Sequence, residues 1–555
     1  MKFLQLTTIL LLIVSCKSKK EVATVPTVKP NILWIVCEDI SPMLSFYGDS
    51  TAQTPVLDQL ASESMVYDNA FAVVGVCGPS RSSIITGMYP TAIGTQHMRT
   101  GTDITSWGKR VYKKETGRYD LENQEIIQYS AVIPEYVKAF PEYMRKAGYY
   151  TTNNDKTDYQ FAAPVTVWDQ NDKNAHWRNR PDGEPFFSVF NFNVTHESMI
   201  WKNAEKPQTV DPATVPLPAY FQDTPSSRND VARVYSNIEL LDQQVGELLQ
   251  QLKDDGLYDD TIIFFYSDHG GPLPRQKREI YDSGLKVPFM VKDLRGTSGR
   301  SDQVVSFVDL APTVLNIASV TIPEHIQGRT FLGPQMEPER TVAFATSDRF
   351  DGVTDRSRAA RNERFLYIEH DFPEKMWYKD IDYRKQVPMM EEMLRFRESG
   401  KLNSIQQQWF TDKQKTELYD CIADPENLVN LAGDPNYAKE QMELMLELQY
   451  FRRLHKDRGL EPEASMIASM WPGFEQPVTM PVQVKVQNGK AILSSPTTSA
   501  SIGYVLSNEP LKNLDLNSGW NVYHKPLTVE KGQYLYTMAQ RIGLAESEVG
   551  TNIIP

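Results

Sequence analysis

The chain has 555 residues, 41% of them hydrophobic and 23% charged, a balance that supports a sizeable folded core and excludes an intrinsically disordered protein. Its formal net charge of −13 excludes a general nucleic-acid binder, which needs a basic face against the phosphate backbone. The same charge says nothing of the field inside a cleft, where a few Arg and Lys can still hold a polyanion.

In chain order, residues 1–16 read as a targeting segment. Lys2 gives a positive start, and Ile9 to Val14 is an apolar run too short to span a bilayer. It ends in Ile13-Val14-Ser15-Cys16, which looks like a bacterial lipobox with Cys16 as the lipidated residue. Residues 17–29 (KSKKEVATVPTVK) follow as a polar tether. Together they predict an exported lipoprotein of the outer membrane, periplasm or cell surface, attached to the membrane through Cys16. The other cysteines are Cys37, Cys77 and Cys421, an odd set that argues against a disulfide framework.

Asn31 to Cys37 is a continuous apolar run, the pattern of a buried parallel strand, and it opens into Glu38-Asp39. Thr54-Pro55 starts a helix carrying Val56, Leu57, Leu60 and Ala61. Residues 230–255 form the clearest helix, with Val231, Val234, Tyr235, Ile238, Leu241, Val245, Leu248 and Leu252 at helical spacing and Gly256 as its stop. Residues 261–266 predict a second buried strand, opening into Ser267-Asp268-His269-Gly270. Ligands in open α/β sheets bind beyond the carboxyl ends of strands, so these acidic strand ends are expected to meet in space. Cys37 reads as core and Cys421 as structural. Residues 386–460 are charged and helical in pattern. From about residue 478, short alternating runs such as PVQVKVQNGKAIL and QYLYTMAQRIG predict a small all-β module.

The segment Cys77-Gly78-Pro79-Ser80-Arg81, with Thr86-Gly87 just beyond, resembles the signature of formylglycine-dependent (type I) sulfatases of the alkaline phosphatase superfamily. Gly78-Pro79 reads as a turn leading into a helix-like run. The resemblance implies that a formylglycine-generating or anaerobic sulfatase-maturing enzyme oxidises Cys77 to 3-oxoalanine (formylglycine), which hydrates to a geminal diol. One hydroxyl of such a diol attacks sulfur and expels the alcohol, and the other then ejects sulfate. Arg81 suits holding the diol and the developing anion. The family binds one hard divalent cation, usually calcium, and the resemblance implies Glu38, Asp39, residue 77, Asp268 and His269 as ligands. The chain departs from the family's usual pair of aspartates at Glu38, and the imidazole of His269 points less clearly to calcium.

By the same resemblance, Lys277 stands before Tyr281-Asp282-Ser283-Gly284 as the family's sulfate-contacting lysine stands before its similar stretch. Lys156 takes the place of the lysine in a Gly-Lys-Trp-His-like motif, whose histidine position is Asp158 here. His196, at the end of the strand-like run PFFSVFNFNVTH, is expected to serve as general acid for the leaving alcohol. His97 and Arg99, in GTQHMRTG, and Asp348 and Arg349 are candidate substrate contacts, through bidentate guanidinium binding and hydroxyl recognition by carboxylates.

The resemblance covers roughly residues 30–435. It implies an α/β fold: an alkaline-phosphatase-like large mixed sheet flanked by helices, then a smaller C-terminal α+β subdomain, with the small all-β module after it. The expected division is 30–375 catalytic, 376–475 subdomain and 476–555 module. The implied activity is hydrolysis of sulfate esters on a sulfated polysaccharide or oligosaccharide, an algal glycan such as ulvan among them. Two alternatives stand beside it: a phosphonate or phosphate ester hydrolase on the same scaffold, and a catalytically inactive glycan-binding lipoprotein, for which Asp158 is the one supporting residue.

Overall fold

The computed structural model describes residues 29–101 and 111–555, so Cys16 and the segment around it lie outside the described residues. Eight strands form one mixed sheet: β1 (Asn31–Cys37), β2 (Met65–Phe71), β3 (Tyr150–Asn154), β4 (Gln170–Asn171), β5 (Phe186–Phe192), β6 (Thr261–Ser267), β7 (Phe289–Lys292) and β8 (Gly299–Ser306). Their spatial order is β4-β3-β5-β1-β6-β7-β2-β8. β1 runs parallel to both its neighbours, β5 and β6, while β7 is antiparallel to β6 and β2.

Alternate residues of β1 enter opposite cores, Leu33, Ile35 and Cys37 on one face and Ile32, Trp34 and Val36 on the other. With both faces covered, the strand reads as an unbroken apolar run rather than an alternation. α1 (Pro55–Ser62) and the helix Pro225–Asp254 pack on the first face; α2 (Cys77–Thr86) and the helix Leu310–Ile317 pack on the second. Cys37 and Cys421 are buried and unbridged, as a core and a structural thiol should be. Among the described residues no helix is long and apolar enough to cross a membrane.

Two helix starts differ from the sequence reading. The long helix begins at Pro225, ahead of its apolar periodicity, because Pro225 occupies the first turn and the Thr224 hydroxyl accepts the Ser227 N–H at 3.2 Å. α2 begins at Cys77 itself, so Gly78-Pro79 is helical rather than a preceding turn. A proline fits there because first-turn N–H groups have no intrahelical partner.

The smaller sheet corrects the expected boundary at residue 375. Strands β9 (Ala343–Ser347), β10 (Ser357–Arg361), β11 (Phe365–His370) and β12 (Thr416–Asp420) pair antiparallel in the order β12-β11-β10-β9, so a cut at 375 would split one sheet. The change of texture after 375 marks charged helices inserted between β11 and β12, not the start of a folding unit. The helix Ala438–Leu454 covers this sheet with Leu444, Leu448 and Phe451.

From Gln483 the chain forms two further antiparallel sheets, of three and four strands. This module is seated firmly on the large domain. Gln540 Oε1 accepts the Val165 N–H at 2.6 Å, and the Ser501 hydroxyl donates to Glu142 Oε2 at 2.6 Å. Gly543, at φ +91°, lies so close to the Val132 backbone that a Cβ there would come within 2.4 Å of it.

Candidate active site

β1 and β6 are adjacent in register, Cys37 opposite Ser267, so the residues leaving both strands emerge side by side. Glu38 and Asp39 leave β1, Asp268 and His269 leave β6, and all four are fully buried. The Asp39 N–H donates to Asp268 Oδ1 at 3.3 Å, and the Ile40 N–H to Ser267 Oγ at 2.9 Å, which ties the two strand ends together. Cys77 is the first residue of α2, where the free N–H groups and the helix dipole favour negative charge. Its Sγ lies 3.2 Å from His269 Nε2 and 3.9 Å from carboxylate oxygens of both Glu38 and Asp39.

One helical turn after Cys77, Arg81 is fixed by three partners. Nε donates to Asp268 Oδ2 at 2.9 Å, Nη1 to Asn191 Oδ1 at 2.8 Å, and Nη2 pairs with Glu38. Lys156 also pairs with Glu38. Lys277 Nζ donates to Asp39 Oδ2 at 2.5 Å and lies 3.3 Å from Glu197. Arg278 closes the ring with a bidentate contact to Glu197 at 2.7 and 2.9 Å.

Charges this deep persist only because they are paired. Burial works against the Asp39 anion, yet Lys277, His196 and His269 outweigh it and hold the carboxyl well below its usual range. His269 resists burial in the same way: Asp268, Cys77 and Asp39 push its pKa up to about 10. His196 goes the other way, pushed down to about 3 by burial and then by Lys277, so its imidazole is neutral at pH 7. The Ser198 N–H donates to His196 Nδ1 at 3.2 Å, which leaves the ring proton on Nε2. Ligand atoms of Asp39, Cys77, Asp268 and His269 lie within 4.8 Å of one another, as do those of Glu38, Asp39, Cys77 and His196. The two groups share Asp39, and each holds two buried carboxylates, hard-oxygen donors that fit a divalent cation. A cleft of about 530 Å³, lined by Arg99, Lys156, Asp158, His196, Lys202 and Arg278 among others, leads to this centre.

The sequence profile of the sulfatase family matches residues 30–320. A curated relative from Formosa agariphila, described as an ulvan-active sulfatase, is 42% identical over 559 residues, covering 94% of this chain and 90% of its own. The chain belongs to the sulfatase family. It is a sulfuric ester hydrolase. Among solved structures, a 2-O GAG sulfatase matches at 18% identity with a TM-score of 0.55, covering 78% of this chain and 94% of that one. A phosphonate monoester hydrolase from Silicibacter pomeroyi matches at 16% identity with a TM-score of 0.52, covering 78% and 97%. Those two likenesses are of fold, the large mixed sheet between helices.

The sulfatase brings Glu38, Asp39, Cys77, Arg81, Lys156, His196, Asp268, His269 and Lys277 into this one centre and its cleft. His97, Asp348 and Arg349, expected to meet substrate, are instead buried, the last two in internal ion pairs and His97 as a neutral ring beside one. Arg349 donates to Glu463 at 2.5 and 2.7 Å, and His97 lies 3.8 Å from the same carboxylate. Burial pushes His97 down to about 4, against the pull of Glu463, so it is neutral at pH 7. Asp348 accepts from Arg358 at 3.0 and 3.1 Å, and Arg358 also pairs with Asp457. The reason lies elsewhere in the chain: Glu463 brings a carboxylate to Arg349, and Arg358 of β10 takes Asp348 together with Asp457. Arg99 alone of the four faces the cleft. Sequence reasoning passed over Asn191, Glu197 and Arg278; the last two flank His196 and Lys277, and that adjacency was the available signal.

Proposed function

We propose that this sulfatase removes sulfate ester groups from a sulfated polysaccharide or oligosaccharide, with an algal glycan of the ulvan type as the leading substrate class. The observation that carries the reading is Cys77 Sγ, at the start of α2, 3.2 Å from His269 and 3.9 Å from Glu38 and Asp39, with Arg81 one turn behind it. The 42% identity to an ulvan-active sulfatase supports the glycan. In this reading residue 77 is matured to formylglycine by a dedicated maturing enzyme, and its diol supplies the nucleophile. Glu38, Asp39, residue 77 and Asp268, with His269 once it has lost its Nε2 proton, would hold one calcium ion, whose charge would offset that of the sulfate oxygens.

The chain's own groups divide the remaining work. Lys156 and Lys277 present ammonium groups to the sulfate oxygens, and Arg81 fixes the nucleophile end through its rigid guanidinium. His196, neutral with its proton on Nε2, points that N–H at the leaving oxygen as a hydrogen-bond donor that stabilises its developing charge, and the departing alkoxide takes its proton from water. Arg99 meets the glycan in the cleft. We also propose that the protein is exported and lipid-anchored at Cys16.

The test is free sulfate released from ulvan, carrageenan, fucan and glycosaminoglycan oligosaccharides, with a phosphate ester in the same panel. Protein co-produced with a maturing enzyme is compared with Cys77→Ala in calcium. Sulfate from a glycan, absent in Cys77→Ala, is the expected result. Faster phosphate release than sulfate release would sink the glycan-sulfatase reading in favour of the phosphoester one. Membrane fractionation of the wild type beside Cys16→Ser tests the anchor; equal partition of both to the soluble fraction would refute it.

A further inference from the structure

Asp158 sits two residues after Lys156 and lines the same cleft as His196. It is only 4% exposed, yet its Oδ2 has no hydrogen-bond partner among the described residues. Its Oδ1 lies 3.6 Å from Arg99 Nη1, a loose ion pair beyond good hydrogen-bond distance. Two other charges of the cleft are closely engaged, Lys156 by Glu38 and Arg278 by Glu197. Both members of the loose pair are held in left-handed backbone, Asp158 at φ +50° and Arg99 at φ +61°. The Arg118 guanidinium clamps the Arg99 carbonyl at 2.8 Å. A buried carboxylate with an open acceptor is costly to keep and uncommon without a function.

A carboxylate accepts hydrogen bonds and offers none, so this subsite selects a donor and repels a second sulfate. The donor chemistry a saccharide provides is a hydroxyl. We propose that Asp158, oriented by Arg99, is a substrate-reading subsite that accepts a hydrogen bond from a free hydroxyl beside the scissile sulfate ester. The preferred substrate is therefore a saccharide unit whose ring carries the ester and an unsubstituted neighbouring hydroxyl. This rests on the sulfatase reading above and adds to it which sugar esters are turned over well.

The test pairs a methyl glycoside, sulfated at one position with the neighbouring hydroxyl free, with its deoxy analogue. kcat/KM is measured for both on the wild type, Asp158→Ala and Asp158→Asn. Loss of a hydrogen bond to a charged group is a loss of about 10- to 100-fold. The wild type is expected to prefer the hydroxylated ester by that factor, and Asp158→Ala to bring the two within about threefold. Asp158→Asn, which keeps the shape and one acceptor oxygen, is expected to fall between. A fall of equal size on both esters, or a preference that survives in Asp158→Ala, would overturn the proposal.

Binding separates this from the parent reading. Calorimetric Kd values for the same two esters are measured on Cys77→Ala and on Cys77→Ala/Asp158→Ala. Turnover of neither ester by the wild type counts against the sulfatase reading on these sugars. The hydroxyl preference in Kd, lost with Asp158, would still support the subsite. Equal Kd values for the two esters on Cys77→Ala, or no binding of either, would refute it.

Discussion

Glu463→Ala is expected to destabilise the protein without weakening substrate binding. Glu463 is 4% exposed and Arg349 1% exposed; their two contacts, at 2.5 and 2.7 Å, are joined by a 3.0 Å hydrogen bond that the Tyr129 hydroxyl donates to Glu463. Removing the carboxylate leaves a buried guanidinium whose remaining acceptors among the described residues are the carbonyls of Met98 and Asp351. Breaking one side of such a pair costs about 3–5 kcal/mol, whereas replacing both sides with apolar groups of similar volume is close to neutral. The double variant Arg349→Met/Glu463→Met should therefore recover most of the stability lost in Glu463→Ala. Equilibrium urea unfolding of wild type, Glu463→Ala, Arg349→Met and the double variant closes the cycle. Sulfate-release kinetics run on the same samples. If Arg349→Met proves as stable as the wild type but raises KM tenfold, Arg349 meets substrate after all and the reasoning fails.

Three further outcomes are expected. Removing divalent metal with a chelator should abolish turnover and lower the melting temperature, and calcium at a hundred times its Kd should return about 2.7 kcal/mol of stability; an unchanged melting curve would mean the carboxylate cluster holds no structural ion. Glu197→Gln should lower kcat by at least about tenfold through Lys277 and Arg278, because it removes the anion that positions both; unaltered kinetics would count against that ring of charges. Glu142 is held at about 2, below the ordinary 4.5, where Lys146, Lys138 and Ser501 outweigh its burial. Its folded-state pKa is depressed, so its stabilisation, on the order of 3 kcal/mol, is complete above pH 4.5 and lost as pH falls towards 2. Acid unfolding of Glu142→Gln should accordingly be less steep in that window than that of the wild type, and identical curves would refute the assignment.

Much of the catalytic centre was legible because its geometry is simple. A strand buried on both faces must be an unbroken apolar run, and the residues that follow it must emerge at a sheet edge. Two such runs, ending at Cys37 and Ser267, brought Glu38, Asp39, Asp268 and His269 together once they proved to be neighbours. The small sheet was harder to place, because β9 and β10 are short and the strand that completes them comes only at Thr416, past two intervening helices.

The substrate side was least legible, and the arginines show why. Arg99 and Arg349 look alike in sequence, each in a loop-like stretch near other polar residues. What separates them is whether a carboxylate arrives from elsewhere in the chain. Glu463 reaches Arg349 from the helix Glu463–Met470, and Asp457 reaches Arg358. Among the described residues, the carboxylate that Arg99 pairs with is Asp158, at 3.6 Å. Pattern and spacing report local periodicity and have no term for such long-range pairing, so they mark Arg99 and Arg349 alike as possible anion contacts. Burial and ion pairing then sort those already satisfied from those still open to a ligand. By that measure Arg99 and Asp158 stay open to a ligand in the cleft, while Arg349 and Asp348 are already engaged within the fold.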